Sequence, residues 1–280
     1  MTDLRAQALT FRELHIPGRP LVLANAWDTV SARLVEEAGA LAVATTSAGL
    51  AWDLGAEDGD RLDRDSALEA VRRIAAAVRV PVSADIETGY AEDAKGVGDT
   101  VRAVLAAGAV GVNIEDSLYG PEQARRGGEP LRPVAEQAEL IAAAREAADS
   151  AGVPLFVNAR TDTYLRGAGD LAATLERAAA FLAAGADGVF VPGPVDPATV
   201  RALVEGVNGP LNVMAGPGAP SVAELSSLGV ARISVGAGIA QAAHALVRRA
   251  ARELLDTGTY ESLAGGLDYG ELNTLLGKGR

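Results

Sequence analysis

Polar side chains follow several short apolar stretches in this sequence, and their types and spacing could support chemistry. In VPVSADIETGYAED, residues 80–93, an apolar stretch leads directly into Asp85 and Glu87. Four other apolar stretches are followed by these residues: Asn25 and Asp28; Thr46 and Ser47; Asn113, Glu115 and Asp116; Asn158, Arg160 and Asp162. Each acid, taken alone, could be a solvated residue or the partner of a loop arginine.

Acids from several stretches that meet at one place predict a metal site. Like charges held close together repel unless protons or a cation neutralise them. The chain has two histidines, His15 and His244, neither of them at the end of a predicted strand, and it has no cysteine. Oxygen atoms are therefore almost the only ligands available, and they favour a hard cation. The expected cofactor is Mg²⁺, with Mn²⁺ as a possible substitute.

A parallel β-barrel would bring these residues together. Val, Ile, Leu and Ala dominate stretches that are typical of strands buried on both faces. These stretches are 21–25, 41–46, 81–86, 110–114, 154–159, 188–191, 210–214 and 231–235. Amphipathic segments such as 65–79, 133–150 and 170–185 predict helices between them. Eight such units predict an α/β fold with a single (β/α)8 TIM barrel, in which every strand ends at one mouth.

Glycines at the junctions from helix to strand support the same fold. Each stands where a helix can end in a left-handed turn. They are Gly39, Gly108, Gly152, Gly185 and Gly229. A doubly wound open sheet is the alternative, but it usually has a Gly-rich turn after its first strand, and NAWDTVSA has no glycine. We expect one domain over residues 1–280, with the barrel at about 20–255 and extra C-terminal helices at about 256–280.

The composition restricts the partners that we expect. The chain has 25 basic and 37 acidic residues and a net charge of -12, which disfavours nucleic acid as a partner. The lack of cysteine excludes disulfides, zinc-thiolate sites and thiol nucleophiles. No segment has the apolar length of a signal peptide or a membrane span. We therefore expect a cytoplasmic protein that does not act at a membrane.

Three motifs, SADIETGYAED, VNIEDS and NARTD, resemble in order and spacing those of the isocitrate lyase/phosphoenolpyruvate mutase superfamily. The resemblance extends over roughly residues 20–255. It implies a (β/α)8 barrel, often with an exchanged C-terminal helix, and a homo-oligomer, either a dimer or a tetramer. It also implies a Mg²⁺ ion that binds the oxygens of a 2-oxo acid or of its enolate.

The resemblance further implies roles for particular residues. Asp85 looks like the direct metal ligand, and Glu87 stands where an Asp is more usual. Asp58 and Glu115 would bind the metal directly or through waters. The implied substrate-binding residues are Thr46, Ser47, Ala48, Asp85 and Arg160. The residues expected to take part in catalysis are Arg160, Tyr90 and Glu115.

The segment after Asp116, SLYGPEQARRGGEPLR, departs from the family pattern. Lyases of this family have a lid motif, Lys-Lys/Arg-Cys-Gly-His, whose cysteine protonates the departing carbanion. This chain has neither Cys nor His in that segment. Isocitrate lyase and methylisocitrate lyase activities are therefore disfavoured. The mutase-type lid, with its Lys and Asn, is also unmatched, and Pro192 stands where mutases have His, so phosphoenolpyruvate mutase activity is disfavoured too. Tyr90, Tyr119, Glu122 and a metal-bound water are the alternative sources of a proton.

The half-reaction shared by the family remains the expected function. We expect a Mg²⁺-dependent lyase that cleaves or forms a C–C bond next to a 2-oxo acid through a metal-stabilised enolate. The substrate would be a small 2-oxo or 2-hydroxy acid similar to oxaloacetate or isocitrate. One alternative is an enzyme of the phosphonopyruvate type that cleaves a C–P bond. Another is a protein that binds a 2-oxo acid without turning it over.

Overall fold

The strands form one parallel sheet that curves into a nearly closed barrel, in a computed structural model that describes residues 3–277. The strands are β1 (Leu21–Leu23), β2 (Asn25–Ala26), β3 (Val43–Thr45), β4 (Val82–Asp85), β5 (Gly111–Glu115), β6 (Phe156–Arg160), β7 (Gly188–Val191), β8 (Leu211–Met214) and β9 (Arg232–Ser234). Their order in the sheet is β1-β9-β8-β7-β6-β5-β4-β3-β2. The predicted TIM-barrel fold is confirmed.

The first predicted strand is split into two short strands, β1 and β2, each of which pairs with a different neighbour. β1 pairs with β9, and β2 pairs with β3, so the chain changes neighbour between residues 23 and 25. Counted as one, β1 and β2 make the eight strand positions that the sequence predicts. Every predicted stretch overlaps an observed strand, and three observed strands extend one residue beyond the prediction, at Ala26, Glu115 and Arg160.

Helices lie between the strands and at both ends of the chain. They are α1 (Leu4–Glu13), α2 (Thr29–Glu37), α3 (Ser47–Asp53), α4 (Arg64–Ala77), α5 (Ala94–Ala107), α6 (Gly120–Arg125), α7 (Val134–Ser150), α8 (Leu171–Ala183), α9 (Pro197–Gly206), α10 (Val222–Ser227), α11 (Gly238–Asp256) and α12 (Tyr269–Gly277). Several begin at a side-chain cap, as at Asp63 and Asp170. The five predicted junction glycines all have positive φ, between 70° and 106°. Among residues 3–277, no helix combines the length and apolar composition needed to cross a membrane.

The interior of the barrel is polar at its centre. Asn158 on β6 donates its side-chain N–H to Asn113 on β5 (2.8 Å) and to Asn212 on β8 (3.0 Å). Because β6 and β8 are not adjacent, this network crosses the inside of the barrel. TIM barrels usually fill this space with branched apolar side chains. The amides therefore give the barrel a hydrogen-bonded core below the mouth.

Helix α1 closes the opposite end of the barrel, which we call the floor. Phe11 is fully buried, and its ring meets Phe156 at the start of β6 edge to face, with centroids 5.8 Å apart. His15 stacks on the same Phe156 ring at 3.8 Å. Arg232, at the start of β9, lies over the Phe11 ring at 5.9 Å. Gly111 has no room for a side chain, because a Cβ atom there would lie 2.6 Å from the Phe11 ring.

The C-terminal helices extend beyond the eight βα units, as the sequence predicts. Helix α11 buries only Ala240, and it exposes apolar side chains such as Val247 and Leu255. Helix α12 returns to α2, where Arg33 donates to the carbonyl oxygen of Leu275 (3.0 Å). Beside β1, a groove of about 580 Å³ has an apolar lining that includes the exposed side chains of Val22 and Leu41.

Candidate active site

Hydrogen bonds join the ends of β3 and β4 at the mouth of the barrel. The backbone N–H of Asp85 donates to the hydroxyl of Thr45 (2.9 Å), and one carboxylate oxygen of Asp85 accepts from the N–H of Ser47 (3.2 Å). Ser47 is the first residue of α3, where backbone N–H groups favour an anion. Asp85 is thus held at the predicted position, next to the Thr46–Ala48 segment.

Close packing holds the beginning of α3 in place. A Cβ atom at Gly49 would lie 2.7 Å from both the Thr46 methyl group and Trp27 Cβ. Thr46, Ser47 and Ala48 are all buried. Thr46 precedes the helix, but its side chain does not cap it. The segment predicted to hold a substrate carboxylate is therefore a tightly packed turn at the mouth.

Arg160, at the end of β6, joins two buried acids. Its Nη1 atom lies 2.6 Å from Glu115 Oε2, and its Nε and Nη2 atoms donate to the two oxygens of Asp162 at 2.7 and 2.8 Å. Asp162 also accepts from the Ser117 hydroxyl at 2.6 Å. A guanidinium has five N–H donors, so these contacts leave N–H groups on both terminal nitrogens for a ligand. Because the guanidinium of Arg160 is paired with two buried acids through several contacts, its orientation is fixed.

A second group of acids surrounds Glu87. Glu87 is buried and accepts from the backbone N–H of Asp60, in a short contact, and from the hydroxyl of Tyr90 at 3.2 Å. The Thr88 hydroxyl donates to the carboxylate of Asp60 at 2.5 Å. The segment that contains Asp58 and Asp60 therefore folds over the end of β4. These contacts place Asp60 of this segment against Glu87 and Thr88, which follow β4.

The backbone in this group is strained. Asp60, Glu87 and Tyr90 have φ values of 57°, 50° and 51°, and they are the non-glycine residues with positive φ in residues 3–277. Such conformations cost roughly 1–3 kcal/mol each and concentrate at functional sites. All three residues belong to one hydrogen-bonded group at the mouth. The strain therefore marks this group as a candidate site independently of its charge.

The carboxylates at the mouth raise one another's pKa. Burial, followed by the charges of Asp60 and Asp85, raises the pKa of Glu87 to about 8, although the bond from the Asp60 N–H opposes the shift. Loss of hydration and then the charge of Asp85 raise the pKa of Asp58. Burial raises the pKa of Glu115, against the effect of Arg160. Burial and the charges of neighbouring acids thus both disfavour the charged carboxylates at the mouth, and a bound cation would favour them.

A cation that keeps part of its water shell would need only one or two of the predicted metal ligands. Among residues 3–277, no three His, Cys, Asp or Glu side chains are close enough to enclose a metal ion together. Mg²⁺ usually binds through one or two carboxylates and retains several waters, so a complete protein cage is not required. The assignment of Asp85, Glu87, Asp58 and Glu115 as metal ligands stays a prediction.

The sequence prediction missed two members of the site and one contact. Asp60 and Thr88 were not predicted as site residues, although the Asp58-Gly59-Asp60 pattern is a signal for an acidic loop. Tyr119 was considered only as a proton source, yet its hydroxyl donates to Glu115 at 2.5 Å. Tyr119 also lies under Arg166, whose guanidinium is 5.2 Å from the ring centroid. These contacts fasten the segment after β5 to the mouth.

Comparisons with known proteins identify relatives of this chain. A family model described as phosphoenolpyruvate phosphomutase matches residues 11–255. The chain is 36% identical over 274 residues to an uncharacterised protein of Mycobacterium tuberculosis (strain CDC 1551 / Oshkosh), with 96% of each chain covered. It is 29% identical over 211 residues to 2-methylisocitrate lyase of Escherichia coli (strain K12), covering 75% of this chain and 70% of the lyase.

A solved structure extends the similarity to three dimensions. The structure of phosphonopyruvate hydrolase in complex with oxalate and Mg²⁺ superposes with a TM-score of 0.83 and 26% sequence identity. The superposition covers 97% of this chain and 95% of the hydrolase. Relatives of this chain thus include a lyase and a hydrolase, and they are enzymes of related folds.

Proposed function

This chain belongs to the phosphoenolpyruvate phosphomutase family, in the isocitrate lyase/phosphoenolpyruvate mutase superfamily, and on that premise we propose that it is a Mg²⁺-dependent carbon–carbon lyase. It would cleave or form a bond to C3 of a 2-oxo acid similar to oxaloacetate or isocitrate. The acidic cluster around Asp85, next to the partly free guanidinium of Arg160, is the observation that supports this proposal. Membership of the family alone leaves lyases, mutases and hydrolases open.

The donor set at the mouth suits the cofactor that this reaction needs. A divalent cation held by Asp85, with Glu87, Asp58 and Glu115 binding directly or through waters, would supply Lewis-acid stabilisation of negative charge on the C2 oxygen. Burial and then the charges of neighbouring acids raise the pKa of Glu87 and of Asp58, and a cation bound beside them would favour their charged forms, which supports this assignment. The complex of phosphonopyruvate hydrolase with Mg²⁺ supports the choice of metal, with Mn²⁺ as the alternative.

The side chains of this protein would bind and orient the substrate. The buried turn at Thr46–Ala48 would hold the carboxylate on C1, and the remaining N–H groups of Arg160 would donate to the substrate oxygens. When the bond to C3 breaks, its electron pair would form the C2–C3 double bond of the enolate while the carbonyl pair moves onto the C2 oxygen, and the fragment lost from C3 would leave as a neutral carbonyl compound or CO₂. Glu115 and Asp162 would keep the guanidinium in position during this change, since both contact it directly.

A proton must return to C3 without the thiol that related lyases use. Tyr90 and Tyr119 are two of the four candidates, and each hydroxyl is hydrogen-bonded to a carboxylate at the mouth, Glu87 and Glu115 respectively. We retain Tyr90 as the proposed catalytic residue because its strained backbone fixes the ring beside Glu87. Tyr119 is the second candidate, because it lies on the segment that corresponds to the family lid.

The test is incubation of the protein with Mg²⁺ and a panel of acids, followed by NMR. The panel contains oxaloacetate, 2-oxoglutarate, isocitrate, methylisocitrate and phosphonopyruvate. We expect cleavage of a C–C bond in at least one acid, abolished by EDTA and by Asp85→Asn. Asp99→Asn, an exposed acid on α5 that pairs with Lys95, is the matched control and should retain activity.

Other outcomes of the panel identify the alternatives. Consumption of phosphonopyruvate alone would replace the proposal with C–P bond cleavage, the activity that the name of the hydrolase relative indicates. Binding that depends on metal, without any product, would indicate a protein that holds a 2-oxo acid and does not turn it over. Absence of both binding and turnover would refute the proposed function.

We also propose that the protein is a homo-oligomer, a dimer or a tetramer, in which α11 packs on a second copy. Strands of a parallel barrel are normally covered by helices, yet Val22 on β1 is 44% exposed. The groove beside β1 has an apolar lining, and α11 exposes apolar residues such as Val247 and Leu254, which an interface between copies would bury. Val247→Asp should shift the mass measured by light scattering toward the monomer, and an unchanged mass would contradict the interface.

A further inference from the structure

Arg160 is oriented at the mouth by an acid that has further partners outside the mouth. The carboxylate of Asp162 accepts from the Nε and Nη2 atoms of Arg160 at 2.7 and 2.8 Å. Asp162 is fully buried, so the atoms packed around it determine its position. The direction in which the guanidinium points therefore depends on what holds Asp162 in place.

Two residues that follow β5 hold Asp162. Its backbone N–H donates to Asp116 Oδ1 at 2.9 Å, and its carboxylate accepts from the hydroxyl of Ser117 at 2.6 Å. Asp116 and Ser117 are both fully buried. One contact fixes the backbone of Asp162, and the other fixes its side chain. The segment after β5 thus determines the position of the acid that orients Arg160.

Asp116 in turn depends on Arg177, a residue of α8. Arg177 Nη1 donates to Asp116 Oδ2 at 3.0 Å and to the carbonyl oxygen of Arg132 at 2.9 Å. The backbone N–H of Arg132 donates to the carbonyl oxygen of Asp116 at 2.7 Å, so three segments distant in sequence meet at this acid. Among residues 3–277, Arg177 is the one basic side chain at ion-pair distance from Asp116. Removal of Arg177 would leave a buried carboxylate without a compensating charge, which is unfavourable.

We propose that Asp116 and Arg177 are positioning residues for Arg160 and that they act through Asp162. The contacts lead from Arg177 on α8 to Asp116 after β5, then to Asp162 after β6, and from there to the guanidinium at the mouth. This inference rests on the proposed function and deepens it, because it names residues outside the mouth on which the binding of substrate oxygens depends. A displacement of about 1 Å in a binding group can lower a rate about 10²-fold, even when the substituted residue is remote.

The floor end of β6 has a matching arrangement that supplies a control. Arg145 on α7 donates to Asp187 Oδ2, which also accepts from the backbone N–H of Val157 at 2.8 Å. In both places a helix arginine is joined through an acid to a backbone N–H at one end of β6. The side chains of Arg145 and Arg177 are similarly exposed, at 18% and 14%. Arg145 therefore reports what the loss of such an ion pair does at the end of the strand opposite to Arg160.

Binding of oxalate in the presence of Mg²⁺, measured by calorimetry, and steady-state turnover test the inference. We expect Arg177→Met to weaken oxalate binding about 10-fold and to lower turnover of the acid that the panel identifies about 10- to 100-fold, because Arg160 loses its fixed orientation. Arg177→Lys should recover most of both. A single nitrogen of Arg177 makes both contacts, so the point charge of an ammonium group can replace it.

A second variant and the floor control separate positioning from loss of folding. Ser117→Ala removes only the hydroxyl that donates to Asp162, and it should weaken oxalate binding in the same direction by a smaller factor. Arg145→Met should lower the melting temperature and leave oxalate affinity and turnover within about twofold. Its acid, Asp187, keeps Arg12 as a second partner at 2.6 Å, so this variant should fold.

A nuclear magnetic resonance signal reports the position of Arg160 without any ligand. The Nε–H group of Arg160 donates to Asp162 at 2.7 Å, so it should exchange slowly with water. Its signal is assigned by its loss in Arg160→Gln. We expect Arg177→Met to shift this signal and to speed its exchange, and Arg145→Met to change neither.

The outcomes distinguish this inference from the proposed function. If Arg177→Met lowers the melting temperature but leaves oxalate affinity, turnover and the Arg160 signal unchanged, Arg177 is only structural and the inference is wrong. Equal losses of oxalate affinity in Arg177→Met and Arg145→Met would also overturn it. If the wild-type protein binds no oxalate and cleaves no acid, the proposed function fails. The Arg160 signal then decides the inference, because a shift in Arg177→Met supports positioning and an unchanged signal refutes it.

Discussion

The mouth and the floor of the barrel both bury ionisable side chains, but of opposite charge and in different surroundings. At the mouth, burial and neighbouring acids raise the pKa of Glu87 to about 8. At the floor, burial and the charge of Arg232 lower the pKa of His15 to about 3. Burial also lowers the pKa of Arg232, to about 9. In both regions, loss of hydration disfavours the charged form.

The two regions differ in what can reach them. His15 stacks on Phe156, and its Nδ1–H donates to the carbonyl oxygen of Phe11 at 2.8 Å, so aromatic rings and α1 close the floor. Glu87 instead contacts Asp60 and Tyr90, which line a cavity. A cation or a substrate can therefore compensate the charge at the mouth. A perturbed pKa therefore indicates a functional site only where a ligand can reach the ionisable group.

The largest effect is expected at the mouth, from Arg160→Gln. Loss of a donor to the developing negative charge should lower turnover about 10²- to 10³-fold. The variant also leaves Glu115 and Asp162 without their buried partner, which costs about 3–5 kcal/mol of folding free energy. Steady-state kinetics and thermal melting would measure both. Arg102→Gln on α5 is the control. If the two variants had equal turnover, Arg160 would not belong to the active site.

At the floor, Phe11→Ala should lower stability without changing the mouth. Deletion of a fully buried phenylalanine costs about 3–5 kcal/mol in free energy of unfolding. Chemical denaturation measures this loss, and the affinity for Mn²⁺, followed by electron paramagnetic resonance, should stay the same. A change in metal affinity comparable to that of Asp85→Asn would show that the two regions are not independent.

The pH dependence of stability should differ in sign between the two regions, and Glu87 tests the mouth. Its pKa is higher in the folded protein, about 8, than the ordinary value of 4.5. Its contribution to stability is complete below the ordinary value and is lost as pH rises toward 8, by at most about 1.4 kcal/mol per pH unit. In metal-free protein, Glu87→Gln should remove this slope in denaturation curves. Added Mg²⁺ should stabilise the wild type more at pH 8 than at pH 5.

His15 tests the floor with the opposite sign. Its pKa falls from the ordinary value of 6.5 to about 3 on folding, so its contribution is present above 6.5 and is lost as pH falls. The difference in unfolding free energy between the wild type and His15→Phe should therefore change with pH in this window, and Mg²⁺ should not affect it. A difference that is independent of pH would mean that folding does not shift the pKa of His15.

The smallest effect is expected from Tyr119→Phe, which removes one hydrogen bond to Glu115. A hydrogen bond to a charged group contributes about 1.5–3 kcal/mol. We expect a loss of stability of this size and a smaller decrease in turnover than for Tyr90→Phe. The reverse order of the two variants would identify Tyr119 as the proton donor.

The order of the barrel could be predicted from sequence because its signals are local. Apolar stretches such as 188–191 and the glycines that precede strands depend on neighbouring residues, and both agree with the structure. Parallel strands in a barrel also end at one mouth. Asp85, Glu115 and Arg160 could therefore be assigned to a common end without coordinates.

Contacts between loops could not be predicted in this way. No local pattern specifies that the N–H of Asp60 donates to Glu87, or that Arg132 is buried against Gln137. These contacts depend on how segments distant in sequence pack, and one residue of difference in a loop would change them.

By itself, the sequence determined the (β/α)8 fold, the family, and the set of acids at the ends of the strands. The hydrophobic period, the length of each apolar stretch and the turn residues are signals that extend over a few positions. Eight repeats of the βα unit reinforce these signals. Only the tertiary structure decided which acids lie close to one another, which arginines pair with acids, and which end of the barrel is open. These properties depend on distance and burial in three dimensions, because electrostatic energies change with both.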